Sequence, residues 1–209
     1  KNSDTEVLLK LYDYKGVDMI SELNGMFAFV IFDIKKNILF GAVDQFSIKP
    51  LYYSISKKKF AFSSEIKPLL SLDYVKKELS KKSIINYFQL QYIPFEDTIY
   101  KDINKIKNSN YFIYDLNNNK FTTKNYSKQN KKIEFNSYQE IINIGKKTLN
   151  DSIKRWSLSD VPITCSLSGG LDSSLIASLF SQNSEKKIDT ITVGFEKDNN
   201  IHDERKYAK

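Results

Sequence analysis

The string Ser168-Gly169-Gly170-Leu171-Asp172-Ser173-Ser174 constrains this 209-residue chain more than any other segment. It follows an apolar, β-branched run from Val161 to Leu167 and precedes helical spacing from Leu175 to Phe180, so it reads as a loop between a buried strand and a helix. Paired glycines let main chain come close to an anion, and the N–H groups of the turn and first helical turn point at it along the favourable end of the helix dipole. Ser173 and Ser174 add hydroxyl donors of little bulk. Asp172 is a poor direct neighbour for phosphate but suits a magnesium ion that bridges a carboxylate and phosphate oxygens. No Lys follows the glycines, which excludes a Walker loop. A plain Gly-Gly-Ser turn with Asp172 as a helix cap is the competing reading of the same residues.

The surroundings of the loop specify its fold class. Ser137 and Glu140 have capping-box spacing ahead of Ile141, Ile142, Leu149, Ile153 and Trp156, which predicts a helix. Ile188 to Val193 predicts a second strand beyond the loop and its helix. Helix, strand, loop, helix, strand is the opening of a parallel α/β sheet.

The first part of the chain obeys a different grammar. Ser3 and Glu6 form another capping-box pattern, opening a helix that should end near Gly16. Met26 to Phe32 reads as a buried strand, pairing with Ile38 to Val43 across the polar break at Lys35-Lys36-Asn37. Leu51 to Ile55, Phe60 to Ser63, Thr98 to Tyr100 and Tyr111 to Tyr114 have strand composition, and Asn117-Asn118-Asn119 is a hairpin turn before Phe121. Short helices are expected at Ile66 to Leu70 and after Ser80, the latter with Ile84, Ile85, Tyr87 and Phe88 on one face and Pro94 ending the unit. Ser127 to Lys132 is wholly polar and reads as a linker, giving two domains, residues 1–128 and 133–209.

Composition removes several classes. The net charge of +7 rests almost wholly on Lys, with Arg155 and Arg205 the two arginines, and scattered lysines argue against a nucleic-acid partner. A polyanion-binding surface remains a rival that predicts RNA affinity falling steeply with salt. One cysteine, Cys165, and one histidine, His202, exclude a disulfide framework and a zinc set, and a cytoplasmic location fits. Cys165 falls inside a predicted strand with no nearby base, so it is not read as a nucleophile. No apolar run reaches membrane-span length, and the start lacks a signal-peptide layout. The chain opens on Lys1 and closes on Glu204 to Lys209 as if a helix were starting, so both ends read as cut.

With these residues in view, the loop resembles the pyrophosphate loop, SGGxDS, of ligases that cleave ATP between its α and β phosphates. With Ser159-Asp160-Val161-Pro162 before it, the segment resembles the synthetase domain of the glutamine-dependent asparagine synthetases. The resemblance extends to Leu23-Asn24-Gly25-Met26-Phe27-Ala28-Phe29, Ile48-Lys49-Pro50-Leu51-Tyr52-Tyr53 and Phe62-Ser63-Ser64-Glu65-Ile66-Lys67 in the glutaminase part, and it spans nearly the whole chain. Thr192-Val193-Gly194-Phe195, then Asp203-Glu204, is similar to the strand and helix that hold adenine and ribose.

The resemblance implies an α+β N-terminal-nucleophile glutaminase layer of antiparallel sheets, then a Rossmann-like α/β pyrophosphate-loop domain, both truncated. It implies Leu167 and Val193 at the adenosine site, Ser168, Gly169, Gly170, Asp172, Ser173 and Ser174 on ATP and pyrophosphate, Asp172 on magnesium, and Asp4 on the glutamine α-amino group. Leu167 and Val193 would also serve as core residues of any α/β sheet, and Asp4 as a cap of its own helix. The nucleophilic Cys is expected before Lys1. The implied reaction is amidation of aspartate through an aspartyl-adenylate, using ATP and ammonia from glutamine, with a homodimer left open. An amidotransferase for a sugar or β-amino acid, or a non-catalytic nucleotide-binding module, are the rivals. Relatives carry Arg-Asp-Arg-Phe-Gly where this chain has Val43, Asp44, Gln45, Phe46 and Ser47. That removes two bidentate donors, with consequences for packing or ammonia transfer, and it strains Ser47 if the position needs a positive φ.

Overall fold

The computed structural model describes residues 3–56, 58–127, 134–184, 187–194 and 205–208. The chain divides into two compact units, Lys1–Gln129 and Asn130–Lys209.

The first unit is built from layers whose order follows from side-chain alternation. Helix α1 (Asp4–Lys15) leads into a 3₁₀ turn, Gly16–Glu22. Strands β1 (Ala28–Asp33), β2 (Ile38–Val43), β6 (Asn110–Asp115) and β7 (Lys120–Asn125) form a four-stranded antiparallel sheet in the order β1-β2-β6-β7. A second antiparallel sheet has the order β4-β3-β5, from β3 (Tyr52–Ser56), β4 (Lys59–Ser63) and β5 (Asn104–Lys105).

Successive residues of a strand point to opposite faces. Ala28, Val30, Leu39, Val43, Phe112 and Tyr114 therefore meet Tyr53 and Phe60 of the second sheet in one cluster. Phe29, Ile31, Phe40, Tyr111 and Ile113 meet Leu8, Leu11 and Tyr12 of α1 in another. Beyond the second sheet, Tyr52 and Ala61 pack with Leu69, Val75 and Ile103, beside the short helix α2 (Ile66–Leu70). Phe60 stacks on Tyr114 at 4.5 Å and Tyr53 on Phe121 at 4.7 Å, so aromatic rings join the two sheets. A sheet covered on both faces explains why Met26 to Phe32 reads as continuously apolar rather than alternating.

Several expectations are revised. The capping box at Ser3 does not form: Ser3 is the N-cap without a side-chain bond, and Glu6 instead pairs with Lys10 at 2.8 Å. Helix α3 (Lys81–Leu90) is capped as expected, Ser80 accepting from the Ser83 N–H. It ends at Gln91 in the left-handed region, before Pro94 is reached. Its buried residue is Ser83, while Ile85, Tyr87 and Phe88 are exposed, because the small side chain is what allows close approach. Thr98 to Tyr100 forms no strand; isolated bridges join Tyr100 to Leu79 and Asp97 to Asn104, and the Thr98 hydroxyl donates to the Ile103 carbonyl at 2.7 Å. Of the expected linker, Ser127 to Lys132, residues 128–132 lie outside the described residues.

One buried carboxylate organises the crossing between the sheets. Asp44, 1% exposed, accepts from the N–H groups of Phe46, Ile48 and Lys49 at 2.9, 3.1 and 3.1 Å and from Phe27 at 3.3 Å. Its own carbonyl accepts from Ser109 N–H, which positions the start of β6. Burial pushes the Asp44 carboxyl up, but the four N–H groups together outweigh it and hold the acid below the ordinary carboxylate range. Tyr126 donates to the Val43 carbonyl at 2.6 Å, its phenol pushed up to about 12 by burial and by the Asp44 charge.

Ser47 does take a positive φ, 50°, and its hydroxyl oxygen is buried without a partner. The glycine of the relatives would suit that position. Val43, by contrast, is completely buried in the core cluster, so an apolar residue is at home there.

Two outcomes follow. Ser47→Gly should raise stability by about 1 kcal/mol, since left-handed strain and an orphaned hydroxyl outweigh the added chain entropy, as read by thermal melting. Asp44→Asn should cost about 3 kcal/mol near neutral pH, because an amide cannot accept from all four donors. The stability contributed by Asp44 is present above the unfolded carboxylate pKa and lost as pH falls through the lower folded value. The variant should therefore show a flatter acid limb in urea unfolding repeated across pH.

Candidate functional site

The second unit places the glycine loop at the carboxyl end of a parallel strand pair. Helix α4 (Tyr138–Trp156) begins at Ser137, which accepts from Glu140 N–H at 3.2 Å. The Glu140 carboxylate reaches back to Asn136 N–H at 2.8 Å, one residue before the position a standard capping box uses. Strand β8 (Thr164–Ser166) pairs in parallel with β9 (Asp189–Ile191), in register Thr164 to Asp189. Between them runs α5 (Leu171–Asn183), tied to α4 by Asn183 donating to Asn150 at 2.7 Å. Both strands are shorter than the apolar runs suggest, and Cys165 is half-buried rather than buried. Two parallel strands among the described residues cannot cover both of their faces.

Helix α5 starts at Leu171, four residues earlier than its apolar spacing indicates, because a helix N-terminus is set by its cap rather than by its core face. Asp172, Ser173 and Ser174 therefore belong to its first turn, and the acid sits where the helix dipole favours a negative charge. The helix ladder opens with Ser174 N–H donating to the Gly170 carbonyl at 3.0 Å. By their place in the first turn, the N–H groups of Leu171, Asp172 and Ser173 have no acceptor one turn back within the helix.

The loop is braced from inside by two hydroxyls. Ser168 Oγ and Ser173 Oγ lie 3.0 Å apart, Ser168 N–H donates to Ser173 Oγ at 3.3 Å, and Gly170 N–H donates to Ser168 Oγ at 3.3 Å. Ser173 in turn donates to the Gly170 carbonyl at 3.1 Å. Both serines thus shape the bend before any ligand arrives, while Ser174 and Asp172 are exposed.

The two glycines divide the work that sequence alone assigns to them jointly. Gly169 has φ +82°, and a Cβ there would lie 2.5 Å from Tyr207 Cβ and 2.6 Å from the Tyr207 carbonyl carbon, in the short helix α6 (Arg205–Ala208). Gly170 has ordinary extended backbone, φ −70° and ψ 163°, and a Cβ would meet just Ser168 Oγ at 3.4 Å. Gly169 is required by the fold; Gly170 is open to solvent and is the glycine an anion can approach.

Leu167 is held to the two residues that precede Val193, since Leu167 N–H donates to the Ile191 carbonyl at 2.9 Å and its own carbonyl accepts from Thr192 Oγ1 at 2.7 Å. Leu167 is half-buried, whereas Val193 is 75% exposed and so is not a core residue. Phe195, Asp203 and Glu204 lie outside the described residues. Asp4 belongs to the other unit: it is the first residue of α1, exposed, and it is not the cap, a place taken by Ser3. Sequence reading named Thr192 only as part of the Thr192-Val193-Gly194-Phe195 string and gave Tyr207 no role; a Thr beside a strand and a Tyr in a short helix carry no spacing signal.

Among the described residues no group of three or more His, Cys, Asp or Glu could cage a metal ion. A lone exposed carboxylate such as Asp172 does fit magnesium, which takes one or two protein carboxylates and fills its other positions with phosphate oxygens and water. Among those residues, too, no helix is long and apolar enough to cross a membrane.

Gly169→Ala should destabilise the second unit by about 2 kcal/mol or more, from the left-handed φ and the contact with Tyr207. Gly170→Ala should fold like the parent chain, and if an anion docks at this loop it should weaken pyrophosphate binding, a difference that paired melting and binding measurements read directly.

Comparison with known proteins extends these observations. Residues 1–127 match the family model described as a glutamine amidotransferase domain, and residues 145–209 match the one described as asparagine synthase. A Methanocaldococcus jannaschii protein, named among the glutamine-hydrolysing asparagine synthetases, is 38% identical over 99% of this chain and 40% of its own length. Asparagine synthetase 1 of Bacillus subtilis, also named glutamine-hydrolysing, is 34% identical over 93% of this chain and 30% of its own length. The chain thus spans well under half the length of these relatives. Among solved structures, an allosteric regulatory enzyme of purine biosynthesis matches at 14% identity over 95% of this chain and 40% of that one, with a TM-score of 0.37 that leaves the two folds unequated. The amidotransferase match covers more than half of the chain, so the chain belongs to the glutamine amidotransferase domain family, and the asparagine synthase match follows it in order.

Proposed function

We propose that the chain supplies the glutaminase layer and the nucleotide loop of an asparagine synthetase. The observation that carries this reading is the first turn of α5, where exposed Gly170, Asp172 and Ser174 and the N–H groups left unpaired by the helix sit at the carboxyl end of parallel strand β8. Ligands of open α/β sheets bind at that end. The layered antiparallel sheets of the first unit support an N-terminal-nucleophile glutaminase over residues 1–128. The parallel strand pair supports the start of a Rossmann-like, pyrophosphate-loop synthetase domain over residues 133–209, in a cytoplasmic enzyme.

In the proposed reaction glutamine hydrolysis releases ammonia, with Asp4 at the N-terminus of α1 binding the glutamine α-amino group. The aspartate side-chain carboxylate attacks the α-phosphate of ATP, the bond to the β-phosphate breaks, and pyrophosphate leaves. Ammonia then attacks the aspartyl-adenylate, and AMP departs with the oxygen that bridged it. This chain's own part is to hold the departing pyrophosphate: the N–H groups of Leu171, Asp172 and Ser173 and the hydroxyl of Ser174 donate to its oxygens, and the dipole of α5 favours its charge. Leu167 and Val193 give the adenosine an apolar wall. Asp172 would hold magnesium, which when bound supplies neutralising charge to the triphosphate.

The reading is tested on the intact protein by measuring AMP and pyrophosphate release with aspartate, a sugar and a β-amino acid as acceptors. Aspartate-dependent AMP release is expected, and release with another acceptor alone would replace the aspartate assignment. Asp172→Ala should lower AMP release by about a hundredfold or more while leaving glutamine hydrolysis intact. Unchanged nucleotide turnover in that variant sinks the loop assignment.

A further inference from the structure

Within the proposed function, on which this inference rests, we propose that Thr192 is a positioning residue that sets the pyrophosphate loop through the carbonyl of Leu167. The ladder between β8 and β9 continues one step past the strands, because Leu167 N–H donates to the Ile191 carbonyl at 2.9 Å. At the next step a parallel ladder would offer the Leu167 carbonyl to a backbone N–H of the partner strand. It accepts instead from the Thr192 side chain, Oγ1, at 2.7 Å.

That substitution matters because of where it falls. Leu167 is the last residue before the loop, so holding both its N–H and its carbonyl fixes the peptide plane that leads into Ser168. From Ser168 the constraint passes to Ser173 through their 3.0 Å hydroxyl contact, and from Ser173 to the Gly170 carbonyl at 3.1 Å. The Gly170 carbonyl is also the acceptor of the first helical bond, from Ser174 N–H. A chain of short hydrogen bonds therefore runs from the Thr192 hydroxyl to the first turn of α5, whose N–H groups are the proposed pyrophosphate donors. Thr192 itself touches no phosphate in this account. A β-branched residue suits the strand end equally well with or without a hydroxyl, so the oxygen can be removed with little disturbance to the sheet.

The test compares Thr192→Val, which keeps the shape, with Thr192→Ser, which keeps the hydroxyl, in the intact protein. Thr192→Val should raise the KM for ATP about five- to tenfold, the worth of one hydrogen bond, with a smaller change in kcat and unchanged glutamine hydrolysis. Amide hydrogen exchange in a peptide spanning residues 167–170 should quicken in that variant. Thr192→Ser should restore both readouts to near the parent values. A Thr192→Val protein with parental KM for ATP and parental exchange overturns the proposal, as does a Thr192→Ser protein as impaired as the valine variant, which would mean that a hydroxyl at this position does not by itself set the loop. Should the valine variant not fold, Thr192→Ala against Thr192→Ser makes the same comparison, and a parental KM in the alanine variant is equally fatal. Lack of ATP-dependent AMP release by the parent protein defeats the pyrophosphate-loop reading itself. Parental turnover with an unaltered valine variant defeats the role of Thr192 alone.

Discussion

Four backbone N–H groups converge on the carboxylate of Asp44, and the geometry of the first unit follows from that convergence. The chain must leave one sheet at Val43 and enter the other at Tyr52, which requires a tight, partly buried turn whose amides cannot all find carbonyl partners. One acid satisfies three of them and also holds Phe27, just ahead of β1. The unpaired donors of a turn and the unpaired charge of a buried acid cancel each other, and neither would be tolerable alone. Ser47 sits in the same turn with a positive φ and an orphaned hydroxyl, so strain gathers where the clamp is tight enough to hold it.

The glycine loop of the second unit uses the opposite strategy. Its first helical donors are left unspent by the helix, while Ser168 and Ser173 use their hydroxyls to brace the bend from within. A turn braced this way is pre-organised, which on the proposed function would spare it rearrangement when an anion binds. The separation of roles between Gly169 and Gly170 belongs to the same logic, one glycine serving the packing and the other the open side.

How much of this was legible beforehand depends on the range of the interaction. The hairpins β1-β2 and β6-β7 and the caps at Ser80 and Ser137 are written in short windows of sequence, and the structure has them. The loop was legible because its glycines, acid and hydroxyls are contiguous. Periodicity failed where the helix face was a question of environment: Ile85, Tyr87 and Phe88 of α3, expected on one apolar face, are all exposed. It failed again at the start of α5, which the backbone of Gly170 decides rather than any apolar residue. Ser47 was legible in part, since the missing glycine was noticed, but the sign of φ is a property of the whole turn. Tyr207 behind Gly169 and Thr192 beside Leu167 were invisible, because such pairings are fixed by topology.

The contact between Gly169 and Tyr207 ties the finished form of the loop to a residue made later. Tyr207 follows Gly169 by 207 − 169 = 38 positions. At a synthesis rate of about 5–20 residues per second, this leaves an interval of roughly 2–8 seconds in which the bend exists without its backing. The first unit, whose strands are all encoded before residue 126, is by then free to have closed its sheets. During translation the amidotransferase layer can therefore mature ahead of the glycine loop, and nascent chains halted short of Tyr207 would carry the motif without its support.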